Sequence, residues 1–152
     1  MGIQLNFGDH VAPFRELLAI PSEYRADAQW ARAQAKAIAN TRPSANAYFR
    51  SLGAGRSLSS LLNDRRIWVN YTTLPVEGNQ WKNEIGIAAY PFAKGRLKVL
   101  GILIHELAHI AGATEFTTKA EDALVHCGLG TLLEINTGIN DPSTPYDPGH
   151  RG

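Results

Sequence analysis

Apolar positions recur at helical spacing through the first third of the chain. Val11, Phe14, Leu17 and Leu18 fall on one stripe, predicting a helix from Val11 to Ile20 that Pro21 stops. Ser22 reads as the cap of an alanine-rich helix running to about Asn40, with Tyr24, Ala28, Ala31, Ala35 and Ile38 on its period. Pro43 opens a short helix through Phe49, Gly53 and Gly55 punctuate the chain, and Arg56 to Leu62 adds a further turn or two.

The pattern then changes. Ile67-Trp-Val-Asn-Tyr-Thr-Thr is β-branched and aromatic and predicts a strand. Glu77-Gly78-Asn79 supplies turn chemistry, and Glu84 to Tyr90 predicts a second strand, antiparallel to the first and ended by Pro91. A long helix is expected from about Lys94 to Ala111, with Gly112 as its left-handed C-terminal residue. Thr118-Lys-Ala-Glu121 is a capping box ahead of Ala123, Leu124, Leu129 and Leu132, predicting another helix. After Gly138 the chain is turn-rich, and residues 141–152 are expected to form an irregular tail.

The chain has 152 residues, 44% of them hydrophobic and 19% charged, which suits one folded domain. Fifteen basic against fourteen acidic residues leave a net charge of +1, so no basic field points to nucleic acid. A single cysteine, Cys127, excludes an internal disulfide framework and reads as a small buried hydrophobe. The first nine residues lack the pattern of a signal peptide, and the longest apolar run, Val99 to Ile104, is far below the ~20 residues that span a bilayer. No membrane insertion is expected. The loose C-terminal segment suggests a piece of a longer protein.

The chemistry concentrates in Ile102-Leu-Ile-His105-Glu106-Leu-Ala-His109-Ile-Ala-Gly112. On a helix, residues four apart share one face about 6 Å apart along the axis, so both imidazoles can reach one zinc ion. Glu106 is rotated about 100° from His105 and is free to act on water as general base. Chance produces this pattern in a chain of such composition about one time in a hundred. An apolar helix raises its significance, because three unpaired ionisable groups are costly to bury there.

This segment resembles the zincin metallopeptidases. The likeness covers about Glu84 to Leu129. With Ala120-Glu121-Asp122-Ala-Leu-Val-His-Cys127-Gly128 following, the chain looks most like the small zincin domains of bacterial secreted effectors and polymorphic toxins. The resemblance implies a compact α+β zincin-like fold with a small antiparallel sheet, an active-site helix and additional N-terminal helices. It also implies a Zn²⁺ cofactor, a protein or peptide substrate, release as part of a larger effector, and a cognate inhibitor or immunity protein.

A catalytic zinc needs a third protein ligand. Glu121, twelve residues after His109, stands where the gluzincin plan places a glutamate, and is the expected ligand. Asp122 resembles the aspzincin arrangement, and otherwise serves the helix N-terminus. Glu115 is similar to the metzincin spacing, with glutamate in place of the third histidine. His126 is the fourth candidate and reads most simply as a packing residue. Tyr90, Tyr146, His126 and His150 are candidates to stabilise an oxyanion, and Trp30 belongs to a packing layer. The expected activity is zinc-dependent hydrolysis of peptide bonds, with Ile85 to Ala89 offered to an extended substrate by strand addition. The alternatives are a structural zinc, a degenerate zincin acting as a protein-binding module, or a helical interaction module with incidental histidines.

Overall fold

A computed structural model describes residues 2–129. Leu132, Tyr146, His150 and the expected tail at 141–152 lie outside the described residues. The described residues form an α+β fold with a small sheet and six α-helices. In order come β1 (Gln4–Leu5), β2 (Leu17–Leu18), α1 (Arg25–Thr41), α2 (Pro43–Ser51), α3 (Leu58–Leu62), β3 (Trp68–Thr72), β4 (Gly78–Trp81), β5 (Glu84–Ile87), α4 (Ala89–Lys94), α5 (Arg96–Ile110) and α6 (Lys119–His126). Among the described residues no helix is long and apolar enough to cross a membrane.

The sheet is mixed, not antiparallel as expected. β3 and β5 run parallel, with Val69 opposite Ile85 and Tyr71 opposite Ile87. β4 supplies the reversal between them: it lies outside β5 and pairs antiparallel to it, Gly78 opposite Ile87 and Trp81 opposite Glu84. On the other edge of β3, β1 pairs parallel along its first half and β2 antiparallel along its second. The turn expected at Glu77-Gly78-Asn79 is therefore part of a strand. The hairpin bends at Lys82, a non-glycine residue in the left-handed region at φ 50°.

The helix expected from Val11 to Ile20 does not form. Pro13 lacks an N–H and disfavours helical geometry at Ala12, while the open edge of β3 accepts Leu17 and Leu18 as β2. Val11 is 95% exposed, so its place on the apolar stripe was accidental. The second predicted strand ends at Ile87, and Pro91 lies in the first turn of α4, where helical N–H groups have no intrahelical partner to lose. Gly95, at φ 127°, separates α4 from α5. Ser22 opens a 3-10 turn ahead of α1 instead of capping it.

Ala28, Ala31, Ala35 and Ala39 line the buried face of α1, and their small side chains let α1 lie close against α5. Trp30 packs on the core edge, with the Arg96 guanidinium 4.3 Å above its ring. Helix α5 is buried almost all round, because α1, α4, α6, β4 and β5 surround it. Val69, Ile85 and Ile87 join the same core cluster as its leucines and isoleucines. Side chains alternate along strands, so the opposite sheet face carries Trp68, Asn70, Thr72, Glu84, Gly86, Asn79 and Trp81. Chain from the N-terminal segment covers that face: His10 stacks on Trp68 at 4.0 Å and Phe14 meets Trp81 edge-on at 4.6 Å.

Candidate metal centre

Helix α5 presents His105 and His109 on one face, with their Nε2 atoms 3.1 Å apart. The helix stops just beyond them. Gly112 takes φ 112°, and a side chain there would strike the backbone of Gly53. Ala54 N–H donates to the Ala111 carbonyl at 2.8 Å, tying this end of α5 to the loop after α2. The reversal that follows brings the Ala113 carbonyl to His109 Nδ1 at 2.8 Å. A carbonyl only accepts, so Nδ1 carries the proton and Nε2 of neutral His109 keeps its lone pair.

Glu106 is 5% exposed and lies beneath β4. A Cβ on Gly78 would sit 3.2 Å from Glu106 Oε2 and would collide with Ile102. Gly78 is thus needed for close approach of strand and helix, a role that its turn-like neighbours concealed. Burial pushes the Glu106 carboxyl up to about 8, and the negative charges of Glu115 and Glu121 add to the shift. Burial likewise pulls His105 down to about 4, with His109 and Lys98 contributing. His105 is therefore neutral at pH 7, the state in which imidazole ligates metals.

Helix α6 brings the acidic candidates. Glu121 Oε1 stands 3.9 Å from His105 Nε2, and its Oε2 is buried with no hydrogen-bond partner. The expected capping box is not formed, because Thr118 makes no side-chain cap. The Thr118 hydroxyl instead donates to Asp122 Oδ2 at 3.3 Å, holding Asp122 at the helix start. Glu115 is 72% exposed and approaches His109 from behind, 3.8 Å from Nδ1. His126 stacks on Tyr48 at 4.2 Å, and the Tyr48 hydroxyl donates to the Lys119 carbonyl. Tyr90 is half-exposed with the Lys94 ammonium over its ring. Cys127 is buried at the end of α6, which pushes its thiol up to about 12.

Among the described residues, no three His, Cys, Asp or Glu side chains are gathered closely enough to hold a metal ion as they stand. The pair of histidines nevertheless has the spacing that one ion requires. Tetrahedral zinc with Zn–N of ~2.0–2.1 Å separates two ligand nitrogens by ~3.3–3.4 Å, close to the 3.1 Å found here. Glu121 Oε1, 3.9 Å from His105 Nε2, lies roughly half an ångström beyond that spacing. Three acidic side chains, Glu106, Glu115 and Glu121, lie near the two imidazoles, and one buried Glu121 oxygen has no donor. That donor set fits a divalent cation. No protein-family model matches the chain, and no curated protein or solved structure is significantly similar to it.

Proposed function

We propose that the chain is a zinc-dependent peptidase of zincin type, in which His105, His109 and Glu121 hold the metal and Glu106 is the general base. The observation that carries this reading is the convergence of two Nε2 atoms beside a buried Glu121 oxygen without a partner. Zinc bound there would supply a Lewis acid that acidifies water and polarises a carbonyl.

The chain's own groups set up the rest. The Ala113 carbonyl fixes the His109 tautomer and ring orientation, and burial keeps His105 unprotonated. Positive charge introduced beside Glu106, Glu115 and Glu121 lowers the Glu106 pKa from about 8, so that its carboxylate is ionised at neutral pH. It then takes a proton from the attacking water and passes it to the amine nitrogen as the C–N bond breaks.

Strand addition belongs to β4. Ile85 to Ile87 are paired on both sides, by β3 and β4, and cannot receive a substrate as expected from the sequence. β4 ends the sheet and crosses directly above Glu106. Its outer edge offers backbone groups to an extended peptide. The resemblance to effector domains supports a bacterial toxin setting with a protein substrate and a cognate immunity protein.

The test is zinc titration under native mass spectrometry, paired with hydrolysis of a mixed peptide library. About one zinc per chain and metal-dependent cleavage are expected. A chain that takes up no zinc at micromolar free metal overturns the reading.

A further inference from the structure

We propose that Tyr48 is a positioning residue of the candidate metal centre, fixing the first turn of α6 so that Glu121 meets His105. The inference rests on the reading of His105, His109 and Glu121 as zinc ligands, but Tyr48 itself stands on a third element, α2. The two helices that carry the ligands are held differently. Helix α5 is buried almost all round, whereas α6 has eight residues, of which Ala120, Ala123 and Leu124 are buried. A helix that short is marginal by itself and takes its place from tertiary contacts.

The start of α6 has no side-chain cap, because the Thr118 hydroxyl donates to Asp122 instead. Tyr48 supplies the hold. Its hydroxyl donates to the carbonyl of Lys119, the first residue of α6, at 2.7 Å. Its ring stacks on His126, the last residue, with centres 4.2 Å apart and planes tilted by 15°. Burial, with the charges of Asp122 and Glu121, pushes the Tyr48 hydroxyl above its ordinary range, so it keeps the proton that it donates at neutral pH.

Helix α2 is a fixed platform for this hold. Ala45 and Phe49, the latter next to Tyr48, are fully buried. The loop after α2 donates Ala54 N–H to the Ala111 carbonyl at 2.8 Å, at the end of α5. One element therefore ties down the end of the helix that carries both histidines and the start of the helix that carries Glu121. Glu121 follows Lys119 within the same turn, the turn that the Tyr48 hydroxyl holds. With that turn released, Glu121 has to be ordered when the metal binds, and the ordering weakens affinity.

The test measures the zinc affinity of the full chain, by competition with a chromophoric chelator, in a double-mutant cycle of Tyr48→Phe and Glu121→Ala. Tyr48→Phe keeps the ring and its stack on His126 and removes only the hydroxyl. Zinc should bind roughly three- to tenfold more weakly, the worth of one neutral hydrogen bond. In the chain that already carries Glu121→Ala, Tyr48→Phe should weaken zinc no further, because the ligand it positions is gone. Tyr48→Ala, which also loses the stack, should weaken zinc more than Tyr48→Phe does while Glu121 is present. Unchanged affinity in Tyr48→Phe overturns the proposal. So does an equal loss with and without Glu121, which would mark the hydroxyl as a support of the fold alone. If the unmutated chain binds zinc but cleaves no peptide, the peptidase reading falls and the cycle still decides the role of Tyr48. If it binds no zinc, both fall.

Discussion

Two clusters in this molecule combine histidine with glutamate, and they are built on opposite terms. On the outer face of the sheet, Asn6 donates to Asn70 at 2.8 Å, Asn70 donates to Glu84 at 3.0 Å, and both Glu84 oxygens lie within 3.1 Å of His10 Nε2. Asn70 also donates to the Ile85 carbonyl, and the His10 ring is stacked on Trp68. Its side-chain groups bond one another. Between α5 and α6 the reverse holds: two imidazoles face each other, three acidic side chains share one neighbourhood, and Glu121 Oε2 has nothing to accept. A satisfied polar cluster stabilises a fold, whereas an unsatisfied buried group costs stability and needs a separate explanation.

The sharpest way to break this contrast is to remove single groups. Glu106→Gln should leave zinc bound and lower peptide hydrolysis by roughly 10²–10⁴-fold, read from metal content and initial rates. His105→Ala or His109→Ala should abolish both. Equal zinc loss in all three variants would place Glu106 among the ligands.

Stability offers the next comparison. Zinc at 100 times its Kd should stabilise the chain by about 2.7 kcal/mol in thermal unfolding, and His109→Ala should remove the effect. Glu84→Ala should act conversely. It should destabilise the fold by about 1–3 kcal/mol, because the buried Asn70 amide loses one of its two acceptors, while zinc binding stays unchanged.

The two shifted groups give the metal-free protein a pH signature. His105 has its pKa lowered from 6.5 to about 4, so its contribution is complete above pH 6.5 and is lost as pH falls towards 4. Glu106 is raised from 4.5 to about 8, so the folded state holds a proton that the unfolded state releases. Of these two groups, Glu106 alone changes its proton count between the states above pH 6.5, and its contribution to stability should decline as pH rises from about 6.5 to 8. Unfolding of metal-free Glu106→Gln across that window should show the decline removed. The smallest effect is expected at Asp122→Ala, about 0.3–1 kcal/mol of helix-end stability with zinc affinity intact. Glu121→Ala should weaken zinc binding instead.

Three of the helices were legible because their signals are local, whereas the stripe from Val11 to Ile20 predicted a helix that does not form. The alanine period of α1, Pro43 at the start of α2 and the apolar run of α5 each act within a few residues, and each element lies close to where its pattern puts it. The sheet was less legible because pairing is a long-range choice. Nothing near Leu17 announces that β3 will offer it an edge, and nothing near Gly78 announces Ile102 and Glu106 above it. In the site, the histidine spacing put both rings on one face of α5. The capping pattern at Thr118 misled, because Asp122 takes the hydroxyl that was assigned to the helix end. The Ala113 carbonyl left no trace in the sequence, since every residue has one.

That carbonyl has a consequence for anyone mapping this protein by mutation. A scan that truncates side chains one at a time would score position 113 as silent, although the proton on His109 is set there. The sensitivity would surface instead at Gly112, whose φ of 112° already disfavours any other residue. Any side chain at 112 strikes the Gly53 backbone and pushes the Ala113 carbonyl off its register. A glycine outside the histidine pair would then score like an active-site residue, and its neighbour, whose carbonyl holds His109, would score as neutral.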